Sequence, residues 1–174
     1  GRLVFFDEVV EAGAVGETTP GPGFGDSVVG LHDVDGDGYA DFAVNAVGEG
    51  EVRVFLGGPT FDGARRVVIA APTGVTEFGA SISGVGDRDG DGLADLAIAA
   101  RTGTDTARVY VYSLAGRVPT EVGRHMMSTG EVAATSEPRL PINLGGGADM
   151  DDDGVPEILV GRPVLNSVVV LFAT

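Results

Sequence analysis

The sequence has no cysteine, only two histidines, and 11 basic side chains against 26 acidic ones. Without cysteine there are no disulfides and no thiolate metal sites, although this alone does not fix the compartment. A net charge of −15 argues against nucleic acid and anionic membrane surfaces as partners. No apolar run approaches the ~18–20 residues that span a bilayer, so no membrane insertion is expected. There is no initial Met and no basic-then-apolar leader, so any signal peptide is removed or lies outside this sequence. No glycine-rich stretch opens a helix, and "LGGGAD" (144–149) reads as a strand entering a loop rather than a phosphate cradle.

Glycine, by contrast, is abundant, at 29 of 174 residues, and nine prolines add further turns. Apolar residues make up 43%, enough for one domain with a core. The acids are concentrated in three stretches: "DVDGDGYAD" (33–41), "DRDGDGLAD" (87–95) and "DMDDDGVPE" (149–157). Each places carboxylates at positions 1, 3, 5 and 9 and glycine at position 6, and those four positions account for 12 of the 26 acids. One acidic run reads as a solvated loop. Three copies with one spacing read as cation sites.

Ca²⁺ takes about 6–8 oxygen ligands at about 2.3–2.6 Å. In a tightly wound loop alternate residues point inward, so positions 1, 3 and 5 supply carboxylates. The candidate ligands are Asp33, Asp35, Asp37 and Asp41; Asp87, Asp89, Asp91 and Asp95; and Asp149, Asp151, Asp153 and Glu157. Glycine at position 6 permits the sharp turn. Position 7 offers a backbone carbonyl, from Tyr39, Leu93 or Val155, which leaves its side chain free to vary. All-oxygen ligation by a flexible loop favours Ca²⁺ over Zn²⁺ and Mg²⁺. Three Ca²⁺ per chain are expected, the third held weakest. An EF-hand is excluded because it needs Glu at position 12 and flanking helices. Position 12 here is Val44, Ile98 or Val160, and the flanks "DFAVNAV" and "DLAIAAR" read as strands.

The repeat is longer than the loop. "FGDSVVGLHD" (24–33) aligns with "FGASISGVGD" (78–87), and the loops begin at 33, 87 and 149. Each unit reads as four short strands, in the first unit roughly 26–32, 41–47, 51–57 and 65–70. The longer spacing before the third unit is assigned to an insertion, "GRVPTEVGRHMMSTGEVAATSEPRL". Phe-Gly-x-Ser, then D-x-D-x-D-G-x-x-D, then an apolar strand resembles the FG-GAP repeat of integrin α-subunit propellers. The resemblance covers nearly the whole chain. It implies an all-β fold of β-propeller blades, each of four antiparallel strands, with Ca²⁺ in the loop between the first two. The third unit departs from the pattern. It has Leu140-Pro141 for Phe-Gly, Asp152 where the others have glycine, Pro156, and Glu157 for Asp.

The expected organisation is one FG-GAP propeller, or part of one, over 1–174. Residues 1–23 carry strands of a preceding blade ("RLVFF", "VVEAGAV"). Blades follow at 24–77 and 78–139, and 140–174 is a blade lacking its last strand. Three blades cannot close a ring, since propellers have about 4–8. Either two copies form a six-bladed homodimeric ring or the chain is part of a longer propeller. "GDS" (25–27) resembles a hydrolase nucleophile block, but Ser27 and Ser81 share a repeat position that is Asn143 in the third unit, which marks a structural residue. "GASISG" (79–84) breaks G-x-S-x-G. His32 abuts a metal loop and His125 lies in the insertion. No enzyme activity is expected. The sequence leaves two functions: an extracellular or cell-surface module binding a protein or glycan, or a calcium-stabilised scaffold within a larger surface protein or hydrolase.

Overall fold

A computed structural model describes residues 22–60, 62–103, 106–128, 142–146, 148–163 and 166–172. The preceding-blade strands expected in "RLVFF" and "VVEAGAV", and the Leu140-Pro141 pair, lie outside these residues. Among the described residues the chain is all-β apart from short 3-10 turns, and it forms three antiparallel sheets.

The first sheet runs β1 (Phe24–Gly30), β2 (Phe42–Ala46), β3 (Glu51–Phe55) and β4 (Arg66–Ala70), in that spatial order. The second runs β5 (Thr76–Gly84), β6 (Leu96–Gly103), β7 (Thr106–Ser113) and β8 (Thr120–Ser128). The third has β9 (Asn143–Gly146), β10 (Ile158–Arg162) and β11 (Ser167–Leu171). Each is a meander of neighbouring strands, the pattern of a propeller blade. In every sheet the acidic loop joins the first strand to the second. Strand β8 occupies much of the stretch assigned to an insertion. His125 therefore sits on a strand, opposite Val109.

The sheets stack face to face through two apolar cores. One joins the first and second sheets, with Val52, Val54, Ile69, Phe78, Leu96, Ile98 and Tyr110 among its members. The other joins the second and third, with Ala97, Ala99, Val109, Val111, Ile158 and Val160. The second sheet is thus covered on both faces. This explains why Leu96, Ala97, Ile98, Ala99 and Ala100 of β6 are apolar in succession and all fully buried. Each large side chain so buried stabilises the fold by about 1.5–3 kcal/mol.

The Phe-Gly pair has a structural reason. Gly25 and Gly79 take φ of +81° and +86°, each inside an irregular stretch of the pairing with the second strand. A Cβ at Gly79 would stand 3.0 Å from a methyl of Val52 in the first sheet. Phe78 is fully buried and meets Tyr110 edge-on at 5.8 Å between ring centroids. The serine position also binds one sheet to the next. The Ser27 N–H donates to Asn45 Oδ1, whose Nδ2 donates to the Gly79 carbonyl, and Ser81 Oγ accepts from the Leu144 N–H. Ser81 is thus a side-chain link between blades, while Ser27 steadies Asn45, which makes the link, through its backbone N–H.

Candidate metal centres

The acidic loops are drawn into rings by their own backbone. In the first, Asp33 Oδ1 accepts from the N–H groups of Gly36 and Asp37, and Oδ2 from Gly38. Asp87 repeats this with Gly90, Asp91 and Gly92. Asp149 does so with Asp153 and Gly154. The position-6 glycines Gly38, Gly92 and Gly154 have φ of +88°, +87° and +89°, a turn that disfavours a side chain. Tyr39, Leu93 and Val155 direct their N–H groups to Asp37, Asp91 and Asp153.

Three carboxylate groups converge in each loop: Asp33, Asp35 and Asp37; Asp87, Asp89 and Asp95; Asp149, Asp151 and Glu157. Within each trio one oxygen per residue lies within 4.8 Å of the others. That span is about twice a Ca–O bond of 2.3–2.6 Å. Asp91 and Asp153 lie in their loops outside these trios, as does Asp41. Asp91 Oδ2 accepts from Ser113 Oγ at 3.1 Å.

The ninth position separates the loops. Asp95 and Glu157 are both fully buried. Asp95 Oδ2 accepts from the Arg88 N–H at 2.8 Å, and Glu157 Oε2 accepts from the Met150 N–H at 2.6 Å. Their second oxygens, Asp95 Oδ1 and Glu157 Oε1, are buried without a hydrogen-bond partner. A buried, unpaired carboxylate oxygen beside other carboxylates is costly unless a cation completes it. Burial, reinforced by the charges of Asp89, Asp91 and Asp87 against the pull of the Arg88 N–H, pushes Asp95 up to about 6. The second and third loops therefore fit a hard dication in donor type, span and unmet charge.

The first loop does not have this opening. Asp41 is buried as well, but Oδ2 accepts from the Val34 N–H at 2.9 Å and Oδ1 from the Gly57 N–H at 2.7 Å. Burial raises its pKa, with those two N–H bonds opposing. Two guanidinium groups supply positive charge to the same loop. Arg65 donates to Asp37 Oδ2 at 2.8 Å, and its hydrogen bond holds Asp37 below the usual carboxylate range. Arg117 donates through Nε to Asp35 Oδ2 at 2.6 Å and lies 3.5 Å from Asp37 Oδ2. Sequence reading missed both arginines. Arg65 stands 28 residues from Asp37, and Arg117 stands 82 from Asp35, on the next sheet. Nothing in the local spacing signals either contact.

Neighbouring loops also touch. The Ala94 N–H donates to the Asp33 carbonyl at 3.3 Å, and the Arg88 guanidinium donates to the Pro156 carbonyl.

Comparison with known proteins agrees with this architecture. Residues 33–98 match the FG-GAP-like repeat family. Human integrin alpha-IIb is 32% identical over 167 residues, covering 84% of this chain. Integrin alpha-PS5 of Drosophila melanogaster is 38% identical over 162 residues and 80% of the chain. Integrin alpha ina-1 of Caenorhabditis elegans is 30% identical over 183 residues and 88% of the chain. The chain spans 15–16% of the length of these relatives.

Proposed function

We infer that this chain, which carries FG-GAP-like repeats of the integrin α-subunit kind, is a noncatalytic, calcium-stabilised β-propeller module of an extracellular or cell-surface protein. The observation that carries the calcium reading is the pair of buried, unpaired oxygens on Asp95 and Glu157, each beside two further carboxylates. Asp87, Asp89 and Asp95 would hold one ion, and Asp149, Asp151 and Glu157 another, with Asp91, Asp153 and the carbonyls of Leu93 and Val155 as further donors. The first loop offers Asp33, Asp35, Asp37, Tyr39 and Asp41 for a third. When bound, the ion supplies the counter-charge that lets each ring of carboxylates stay closed. Everything else is the chain's own work: the amide N–H groups hold the rings and the strands carry them at one rim.

Titration calorimetry on metal-stripped protein tests the reading. At least two tightly held Ca²⁺ per chain are expected, and fewer than two would refute it. The extracellular placement follows from supply. Sites of roughly 10 μM affinity would each gain about 2.7 kcal/mol at a hundredfold excess of Ca²⁺, and almost nothing at cytosolic levels.

The binding role takes its support from the family relation and from the rim, where loops of successive blades lie side by side. The partner class is a protein or glycan. Glycan-array and pull-down assays with rim-loop variants separate this role from that of a pure scaffold, in which no variant changes any binding. Units at 24–77, 78–139 and 140–174 are proposed as successive blades, the last short of a strand. Val28 on the first sheet and Val168 on the third are 62% and 66% exposed, which suits an arc that continues on both sides. A six-bladed ring of two copies completes it most economically. Light scattering at micromolar concentration tests the ring, and a stable monomer assigns the missing blades to a longer chain. Among the described residues no helix is long and apolar enough to cross a membrane.

A further inference from the structure

The three loops share one carboxylate spacing, yet among the described residues only the first has arginines paired with its carboxylates. All eight carboxylate oxygens of Asp33, Asp35, Asp37 and Asp41 accept a hydrogen bond from an N–H donor. The donors at Asp35 Oδ2 and Asp37 Oδ2 are the guanidinium groups of Arg117 and Arg65. The Asp35 side chain is left with no exposed surface beneath Arg117. Arg117 itself has φ of +64°, a left-handed conformation unusual for a residue with a side chain, at the end of the Ala115–Arg117 turn between β7 and β8. That turn places the guanidinium of the second sheet over the loop of the first. Among the described residues, no arginine forms an ion pair with a carboxylate of the second or third loop.

We propose that the first loop is an arginine-latched site: Arg65 and Arg117 occupy the charge position that a divalent cation fills in the other two loops, so the first loop binds Ca²⁺ more weakly than either. This rests on the calcium reading of the second and third loops and adds a rank order to it. It also makes the loop a tie between blades. The Arg117–Asp35 pair joins the second sheet to the first, and it holds when Ca²⁺ is scarce.

Fixed guanidinium groups beside the carboxylates repel an incoming dication, and their hydrogen bonds occupy its ligands. The effect is local, because Arg117 is half exposed while Asp35 beneath it is covered.

The test is titration of metal-stripped whole chain with Ca²⁺ by calorimetry, and with Tb³⁺ by tyrosine-sensitised emission. Tyr39 sits at position 7 of the first loop, where the others have Leu93 and Val155. The part of the emission lost in a Tyr39→Phe control therefore reports the first loop. Wild type is expected to show two tight Ca²⁺ and one weaker by at least tenfold, with the Tyr39-dependent signal in the weak phase. Arg117→Gln and, separately, Arg65→Gln should each tighten the weak phase severalfold and leave the tight pair unchanged. Near-UV dichroism and the unchanged tight pair confirm that each variant is folded. Three equal sites in wild type, or a weak phase unmoved by both substitutions, overturns the latch. Loss of all calcium binding would instead strike the underlying calcium reading, and the latch with it.

Discussion

The first and second acidic loops present the same four carboxylates at the same intervals, and they solve the resulting repulsion in different ways. In the first, Asp41 is braced by two amides and the outer carboxylates by two arginines. In the second, Asp95 keeps an unpaired buried oxygen, and Asp91 accepts from the Leu93 N–H and the neutral Ser113 hydroxyl, with no guanidinium on it among the described residues. A motif therefore fixes which ligands are available, while residues far away in the chain decide whether they are free.

The largest expected break in this comparison comes from stripping the metal. On the proposed reading, the second and third loops depend on Ca²⁺ and the first much less so. Moving from a hundredfold excess of Ca²⁺ to excess chelator should remove about 5 kcal/mol from two sites. For a chain of this size that lowers Tm by roughly 10–20 °C in calorimetry. An unchanged Tm would remove the distinction altogether.

The next is pH. Asp95 titrates near 6 in the metal-free fold against 3.8 for an ordinary aspartate. A folded-state pKa above the unfolded one means that the fold binds the proton more tightly. The metal-free protein should therefore lose stability from this group as pH rises from about 4 to 6, on the order of 2 kcal/mol. Chemical denaturation of the metal-free protein at pH 5 and pH 7, with Asp95→Asn alongside, checks the sign. The variant should lack this component of the pH dependence, and it should lose one tight Ca²⁺.

Asp41→Asn sharpens the contrast because both Asp41 oxygens accept from amides. One position would then face a donor with a donor. The metal-free protein should lose about 1–2 kcal/mol at pH 7 in urea denaturation. Asp95→Asn should cost nothing there, since it removes an ionised oxygen that has no partner. Equal losses in the two variants would erase the distinction between a braced and an open ninth position.

The smallest effect is Arg117→Gln without calcium. A half-exposed ion pair contributes less than about 1 kcal/mol. Its stability change should be near the limit of denaturation experiments, even as calcium affinity at the first loop rises.

Most of the fold was legible because the repeat exposes it. The 54-residue spacing from Asp33 to Asp87, the strands after each loop, and the Phe-Gly pair all correspond to real features. The strand β8 is the fourth strand that the repeat calls for, beginning 54 residues after β4, and only its assignment to an insertion was wrong. That carboxylates cluster in each loop was legible from spacing alone. Their differences were not, because they depend on Gly57, Arg65 and Arg117, which reach the loop only through the packing of sheets. Sequence ranks the third loop weakest for its irregular residues, yet Glu157 there keeps the same open oxygen as Asp95. The geometry points to the first loop instead, for a reason carried by the second sheet.

The first strands of the second and third sheets end in Gly84 and Gly146, each three residues before its acidic loop. There the two backbones nearly touch, since a Cβ on Gly146 would lie 1.8 Å from the Gly84 carbonyl oxygen. This contact acts as a spacer of fixed length between the starts of two strongly negative loops. The apolar core between the second and third sheets and the Leu144–Ser81 hydrogen bond keep the blades at that distance, so they do not separate to dilute their repulsion as loops on flexible tethers would. The field at the rim is therefore set by geometry, and it can be lowered only by ions from solution or by guanidinium groups from within.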